Sequence, residues 1–316
     1  MDSRQPSQTA LAAAAARAAH LVVDREPLIF RDPVAADLIG APGAEMVGYH
    51  RRSGDHIVLA GTRAQVTVRS RWAEERLATL AAGGLDQYVG LGAGLDSFAY
   101  RSPLAGRLRV FEVDHPATQR WKRDLLAAAG ITPPDGLAFV GVDLEAEPLT
   151  DRLAAEGFDL RRPALVSWLG VSMYLTDGAV AATLAAVGGL AAGTELVMEY
   201  ALPPGLRDET GAAYASFALA VAAERGEPWR SFFTPGQLSG LLEAGGMMSP
   251  SRSASGRRSR PCSGTAPTPC ARSTCAGSSG PPCRHDRRPM DQPWRGRRRQ
   301  NSLPSGSRMT CQRPPS

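Results

Sequence analysis

The sequence predicts a doubly wound, Rossmann-like α/β fold with a mostly parallel sheet, and three observations support this. Five short runs rich in Val, Leu and Phe alternate with helical segments. Glycine or an acidic residue stands at the end of each of the first three runs. The residues before the first run have a helical pattern. Strands that alternate with helices form βαβ units, whose strands pair in parallel.

Each element has a local signal. The predicted strands occupy residues 87–91, 108–113, 137–142, 164–169 and 194–200. Apolar positions at helical spacing predict helices at residues 67–82, 116–129, 147–156 and 177–190. Gly83 and Gly84 end the first of these helices. The sheet and its crossovers therefore belong to one core.

The N-terminal segment predicts a helix rather than a secretory signal. Its alanine-rich residues 11–20 are interrupted by Arg17 and His20, which a signal peptide would not tolerate well. We therefore divide residues 1–248 into an N-terminal helical segment, residues 1–65, and an α/β core, residues 66–248.

The composition changes after Met248. Residues 249–316 contain fourteen arginines and two acids, so this segment has a net charge of +12 and the remainder has −7. One Leu and no Ile, Val, Phe or Tyr follow, so the segment cannot offset its ordering entropy by apolar burial. We predict a disordered, basic tail rich in Pro, Arg and Ser. It is either a functional phosphate-binding tail or the product of a GC-rich gene read out of frame, which we favour.

Composition also bounds the class of protein. The sequence has no apolar run of membrane-spanning length, so we expect no membrane partner. The acidic body disfavours nucleic-acid binding, except non-specifically through the tail. No cysteine precedes residue 249, which suits a cytoplasmic enzyme without disulfides. The tail cysteines lack the spacing of a zinc knuckle, so we expect no metal. They are Cys262, Cys270, Cys275, Cys283 and Cys311.

The ends of the first three strands have the features of a nucleoside site. The first ends in Gly-Leu-Gly-Ala-Gly at residues 90–94, the second at Asp114 and the third at Asp143. Glycines let the backbone approach a ligand, and an acid after the second strand can accept hydrogen bonds from ribose hydroxyls. An acid after the third strand can accept from an adenine amino group, with Leu144 against the base.

The charge beside the glycines discriminates between nucleoside cofactors. The spacing fits a dinucleotide fingerprint poorly. Asp96 follows the glycines, where it would repel a pyrophosphate but tolerate a cationic sulfonium. These features favour S-adenosylmethionine over NAD. An NAD oxidoreductase is further disfavoured because Lys122 is the only lysine of the chain.

Several of these segments, taken in order, resemble the leucine carboxyl methyltransferase-like family, which includes many bacterial S-adenosylmethionine-dependent methyltransferases of unassigned substrate. The resemblance covers roughly residues 8–247. Its motifs are the glycine segment 90–97, then residues 100–101, 111–116, 142–144 and 168–175. Residues 17–20 and 30–33 match the family's N-terminal helical cap, so the resemblance implies a cap at residues 1–65 and a core that binds the cofactor at residues 66–248.

The resemblance implies roles for individual residues. Gly92, with Gly94, would line the methionine part of the cofactor, and Asp114 would hold the ribose. Asp143 and Leu144 would bracket the adenine. Arg69 matches the arginine that pairs with the cofactor carboxylate, and Arg71 is a near alternative.

Two departures from the family pattern bear on function. Leu169 stands where the leucine carboxyl methyltransferases have a glutamate that touches the cofactor, which points to a small-molecule acceptor rather than a protein phosphatase. Family members also continue past Gly246 with apolar strands that complete the sheet, and no such strand is expected here.

We therefore predict a methyltransferase that modifies a carboxylate or hydroxyl of a small molecule. Tyr174, Glu199 and Tyr200 are candidates for the acceptor side, and Tyr174 is the candidate for a catalytic role. The alternatives are a catalytically impaired relic or pseudoenzyme with an out-of-frame C-terminus, and a nucleic-acid-binding protein that acts through its tail.

Overall fold

A sheet of six strands organises the structure, a computed structural model that describes residues 7–248 and 270–274. The strands are β1 Gln87–Leu91, β2 Arg109–Asp114, β3 Leu137–Gly141, β4 Leu165–Trp168, β5 Glu195–Glu199 and β6 Cys270–Thr274. Their spatial order is β3-β2-β1-β4-β5-β6. The first five are parallel, and β6 is antiparallel to β5.

Helices cover this sheet and its carboxyl edge. They are α1 Gln8–Val23, α2 Val34–Arg52, α3 Ile57–Ala82, α4 Phe98–Arg101, α5 Pro116–Ala128, α6 Leu149–Ala155, α7 Asp177–Gly188, α8 Glu209–Glu224 and α9 Pro235–Ala244. The predicted fold class is confirmed, because each of the five predicted strands forms with its ends within one residue of the expected positions. No helix in the described part of the chain is long and apolar enough to cross a bilayer.

The strand order reverses at β1. This strand pairs with β2 on one side and with β4 on the other, so its two neighbours reach it through crossovers that leave in opposite directions. In the register, Leu91 lies opposite both Val113 and Trp168. The carboxyl ends of the three strands are therefore level, and a crevice forms outside them, where ligands bind in open α/β sheets.

The N-terminal helices pack on this carboxyl edge. Ala14 and Ala15 of α1 and Leu38 of α2 share one apolar cluster with Leu95 and Leu126 of the core. The predicted boundary at residue 65 lies inside α3, which runs through both the cap and the core.

The helix α3 begins ten residues before the predicted start, at Ile57 rather than residue 67. The backbone N–H of Val58 is capped by His56 Nδ1 at 3.4 Å. Gly61 and Thr62 have low helix propensity and obscure this first part of the helix in the sequence. Packing against α1 and α8 outweighs that local preference.

The strand β6 corrects one expectation. No strand is expected after Gly246, yet Cys270–Thr274 pairs with β5, from Glu199 opposite Cys270 to Glu195 opposite Thr274. A β-ladder is formed by backbone groups and needs no apolar side chain, and the free edge of β5 offers such groups. The other predictions for the tail, its disorder, its origin and its cysteines, concern residues or side chains outside the described part of the chain.

A buried ion pair joins β2 to the helix that follows it. Lys122 Nζ lies 2.6 Å from Glu112 Oε2, and Lys122 is only 2% exposed. Burial raises the pKa of Glu112, although Lys122 opposes this effect. The pair therefore fixes α5 against the sheet close to the end of β2.

The helices α7 and α9 end in direct backbone contact. A Cβ atom added to Gly188 would lie 1.7 Å from the carbonyl oxygen of Gly245 and 3.2 Å from Met247 Cγ. No side chain fits between these two backbones, so this contact requires glycine at position 188.

Candidate functional site

A cavity of about 810 Å³ lies at the carboxyl ends of β1, β2 and β4. The segment that follows β3 also lines it. This volume falls in the range of small-molecule and cofactor sites. The cap helices α1 and α2 and the helix α8 supply the opposite wall. The crevice predicted from the strand order is therefore enclosed between the sheet edge and the cap.

The glycine turn after β1 forms the floor of the cavity. Gly92 and Gly94 adopt positive φ angles of 63° and 48°, which favour glycine. A Cβ atom on Gly92 would lie 2.3 Å from Val171 Cγ2. The N–H of Ala93 donates to the carbonyl of Val113 at 3.0 Å and ties the turn to β2. This turn leaves backbone surface open to a ligand.

Asp114 is held beside this turn by two backbone groups. Gly94 N–H donates to its Oδ2, and His115 N–H donates to its Oδ1 at 2.7 Å. Burial raises the pKa of Asp114, and these two hydrogen bonds oppose that shift. The carboxylate is thus oriented, and it has further lone pairs for donors in the cavity.

Asp143 and Leu144 follow β3 and line the same cavity. Asp143 Oδ1 accepts from Glu145 N–H at 3.0 Å, so this carboxylate also shapes a turn. Glu145 accepts from the hydroxyl of Thr176 at 2.7 Å and pairs with Arg230 at 3.1 Å. The half-buried Leu144 supplies an apolar surface next to the Asp143 carboxylate.

The structure separates the two arginine candidates. Arg69 lines the cavity, and its Nη1 lies 2.6 Å from Glu199 Oε2. Arg71 lies on another face of α3, where it is exposed and pairs with Glu75 one turn along the helix. Arg69 is therefore the candidate for a ligand carboxylate.

Asp96 is a charged member of the cavity wall. Its Oδ1 accepts from Phe98 N–H at 2.7 Å. Burial alone would raise the pKa of Asp96, but Arg17 and Arg101 hold it below its ordinary value. The wall beside the glycine turn thus carries a negative charge, which suits a cationic ligand.

The acceptor-side candidates have different locations. Tyr174 lines the cavity, and burial raises the pKa of its hydroxyl. Glu199 is buried behind Arg69, with 3% exposure. Tyr200 lies in the main apolar core rather than at the cavity. Leu169 borders the cavity, so the position that departs from the family pattern faces the ligand space.

The helices α2, α3 and α8 supply another set of residues to the cavity wall, which is called here the acceptor half. Its wall is mainly apolar and aromatic, with polar side chains among these groups. Its apolar and aromatic members include Met46, Tyr49, Leu59, Tyr214, Phe217 and Val221. Tyr49 and Phe217 are about half exposed, 53% and 45%, and mark the mouth.

Several functional contacts have no signal in the sequence. Glu227 accepts from Gln8 N–H at 2.8 Å and from Thr9 N–H at 3.2 Å, which fixes the start of α1 over the cavity. Arg17 Nη2 donates to the carbonyl of Leu95 at 2.6 Å and attaches α1 to the glycine segment. These partners are far apart in the chain, so only the tertiary structure brings them together.

His50 is a cavity residue whose ionisation should destabilise the fold. Its Nδ1 accepts from Arg63 Nη1 at 3.3 Å, and burial together with the Arg63 charge lowers the pKa of His50 to about 4. Between pH 6.5 and 4, His50 binds a proton in the unfolded chain but remains neutral in the native state. Stability should therefore fall by about 3 kcal/mol as the pH falls through this window, and level off below it.

The control for this prediction removes the titrating group. Burial raises the pKa of Glu74 to about 7, which gives the opposite pH dependence in an overlapping window. The free energy of unfolding of the native protein should therefore be compared with that of His50→Gln by urea denaturation at pH 7, 5.5 and 4. A constant difference across these three values would contradict the assignment to His50.

Comparison with known proteins gives related sequences and folds. Residues 10–188 match the leucine carboxyl methyltransferase family. One relative is YktD of Bacillus subtilis, whose designation as an S-adenosyl-L-methionine-dependent methyltransferase is itself inferred. It is 33% identical over 270 residues, which cover 78% of this chain and 88% of YktD. A relative from Mycobacteroides abscessus with the same designation is 34% identical over 201 residues, 62% of this chain and 65% of that protein.

Two solved structures show the same fold. One comes from Thermobifida fusca and is described by inference as a methyltransferase; its TM-score is 0.51 at 18% identity, with 87% of this chain and 96% of that chain covered. The other is a DUF574 family protein from Streptomyces avermitilis, with a TM-score of 0.50 at 18% identity and coverage of 82% and 96%.

Proposed function

Since the chain belongs to the leucine carboxyl methyltransferase family and is an S-adenosylmethionine-dependent methyltransferase, we propose that it methylates an oxygen atom of a small molecule, a carboxylate or a hydroxyl. When bound, the cofactor supplies an electrophilic methyl group on a sulfonium. The residues of this chain have to bind it, orient the acceptor and exclude water. Alignment of the reactants can provide roughly 7–11 kcal/mol of the acceleration.

The cavity suits this cofactor. The backbone of Gly92 and Gly94 lines the cavity, and Val171 lies so close to Gly92 that no Cβ atom fits there. We propose that Asp114 accepts from the ribose, that Asp143 and Leu144 bracket the adenine, and that Gly92 and Gly94 line the methionine part. Arg69 would pair with the amino-acid carboxylate. The Asp96 carboxylate, kept ionised by its arginine neighbours, tolerates the positive sulfonium.

The proposal of a carboxylate acceptor rests on the hydrogen bonding and the pKa values of three buried rings in the cavity. His50 Nδ1 is occupied by Arg63, and burial raises the pKa of Tyr174 and raises that of Tyr214 to about 12. None of these three rings is suited to remove a proton at neutral pH. A carboxylate acceptor needs no base, whereas a hydroxyl acceptor does. We therefore favour a carboxylate. A hydroxyl substrate would need a base from elsewhere in the cavity wall, such as His115 or Glu45.

Methyl transfer to a panel of small carboxylic acids and phenols, with products identified by mass spectrometry, tests the proposal. For a carboxylate acceptor, kcat should be constant above about pH 6, because the acceptor is ionised there. A rate that instead rises continuously up to about pH 9 would identify a hydroxyl acceptor. If the purified chain does not bind the cofactor in calorimetry, the result would favour the alternative that the protein is a catalytically impaired relic.

The variant Tyr174→Phe should retain kcat to within about threefold, because burial raises the pKa of the Tyr174 hydroxyl and makes it unsuited to remove a proton at neutral pH. Loss of a general base would lower kcat by about 10²–10⁴-fold. The measurement is steady-state kinetics with the acceptor identified above. A decrease of more than about a hundredfold, without loss of cofactor affinity, would give Tyr174 a catalytic role.

A further inference from the structure

A chain of hydrogen bonds connects the helix α8 with Arg69. The Tyr214 hydroxyl donates to Gln65 Oε1. Gln65 Nε2 donates to Glu199 Oε1 at 2.7 Å, and Arg69 Nη1 donates to Glu199 Oε2 at 2.6 Å. We call these four residues the Tyr214–Arg69 relay. It begins in the wall of the acceptor half and ends at the arginine beside the cofactor space.

The relay is packed as well as hydrogen-bonded. Gln65 and Arg69 are one turn apart on α3 and therefore point to the same side. Glu199 is 3% exposed at the end of β5. The ring of Tyr214 packs on Gly61, where an added Cβ atom would lie 3.2 Å from Tyr214 Cδ2. Tyr214, at one end of the relay, is thus held against the backbone of α3, and Glu199 is held inside the protein.

The donor and acceptor roles in the relay have a fixed direction. A carboxylate only accepts, so Gln65 presents its amide nitrogen to Glu199 and its oxygen to Tyr214. Burial raises the pKa of Tyr214 to about 12, so its hydroxyl remains a donor at neutral pH. The guanidinium of Arg69 has five N–H donors, and the relay uses the Nη1 side. Its other donors can serve a ligand.

We propose that Tyr214, Gln65 and Glu199 are positioning residues that hold Arg69 for the carboxylate of S-adenosylmethionine, and that they couple the docking of α8 to the binding of the cofactor's amino-acid end. Glu199 does not border the cavity and acts through Arg69. The inference rests on the proposed role of Arg69, and the experiment tests that role separately.

Two probe molecules isolate the effect in calorimetric titrations of the full chain. S-adenosylhomocysteine has the amino-acid carboxylate, and 5′-methylthioadenosine lacks it. Tyr214→Phe removes one hydrogen bond of this buried network and Gln65→Leu removes two, and each variant should weaken the binding of S-adenosylhomocysteine at least about tenfold. The affinity for methylthioadenosine should change by less than about twofold, because its contacts do not involve Arg69. This second probe also reports whether a variant has folded.

The variant Arg69→Met tests the underlying assignment and completes a double-mutant cycle. It should weaken the binding of S-adenosylhomocysteine but not that of methylthioadenosine. Adding Tyr214→Phe to Arg69→Met should then have little further effect. Tyr49→Phe, a matched change in the same cavity outside the relay, should not alter either affinity. If Arg69→Met leaves S-adenosylhomocysteine binding unchanged, the role of Arg69 fails. Arg69→Met could act as expected while Tyr214→Phe weakens both probes equally, or while the effect of Tyr214→Phe remains full in the Arg69→Met background. Either result would show that Tyr214 does not act through Arg69.

Discussion

Replacing Asp114 with alanine should weaken S-adenosylmethionine binding about a hundredfold. A carboxylate that accepts from ribose hydroxyls contributes roughly 1.5–3 kcal/mol for each charged hydrogen bond. The change also removes the acceptor for the backbone N–H groups of Gly94 and His115. The glycine turn would then lose one of its attachments at the same time as the ligand loses its partner. Calorimetric titration of S-adenosylmethionine and, separately, NAD into the native protein and the variant measures this effect.

Two further variants separate binding from folding. Asp114→Asn retains the shape of the side chain but loses the charge, so its affinity should fall between those of the native protein and Asp114→Ala. Asp124→Ala removes an exposed carboxylate on α5 and should bind as the native protein does. Native-like affinity in Asp114→Ala, or comparable binding of NAD, would remove Asp114 from the ribose position and reopen the choice of cofactor.

The variant Gly188→Ala should be destabilised by at least about 3 kcal/mol, because overpacking against rigid backbone is among the costliest single substitutions. The added methyl would meet the Gly245 carbonyl oxygen at 1.7 Å, so α7 and α9 would have to separate. The free energy of unfolding, measured by urea denaturation with circular dichroism, is the relevant quantity.

The same helix offers a matched control. Gly178 also lies in α7, and a Cβ atom added there would have no heavy atom within 4 Å. Gly178→Ala should be neutral or stabilise the protein by up to about 1 kcal/mol, since alanine is the better helix former. Equal stabilities of the two variants would show that the backbones at residues 188 and 245 are not in close contact.

The sheet could be predicted because its signals are local. Val, Leu and Phe runs of four to six residues bounded by turns define strands, and glycine or aspartate at their ends marks the ligand edge. The long α3 and the acceptor-side helix α8 were harder, because alanine-rich and glycine-containing segments carry little periodicity and are stabilised by tertiary packing. Backbone pairing at β6 leaves almost no trace in side-chain composition.

The site was predictable only in part, for a related reason. Asp114, Asp143 and the glycines follow strands directly, so chain order alone brings them to one edge. Arg69 and Arg71 lie only two positions apart on α3. Which of them faces the cavity depends on how this helix is rotated against the sheet, and the sequence does not determine that rotation. Glu199 and Glu227 find their partners more than a hundred residues away. Such pairings are properties of the folded chain.

The buried pair of Lys122 and Glu112 has a practical consequence for labelling. Lys122 holds the only lysine amine in the sequence. Because this amine is 2% exposed and hydrogen-bonded, an amine-reactive reagent can reach it only when α5 opens from the sheet. The rate of acylation at Lys122 therefore reports the local opening of the segment next to Asp114, without any engineered probe.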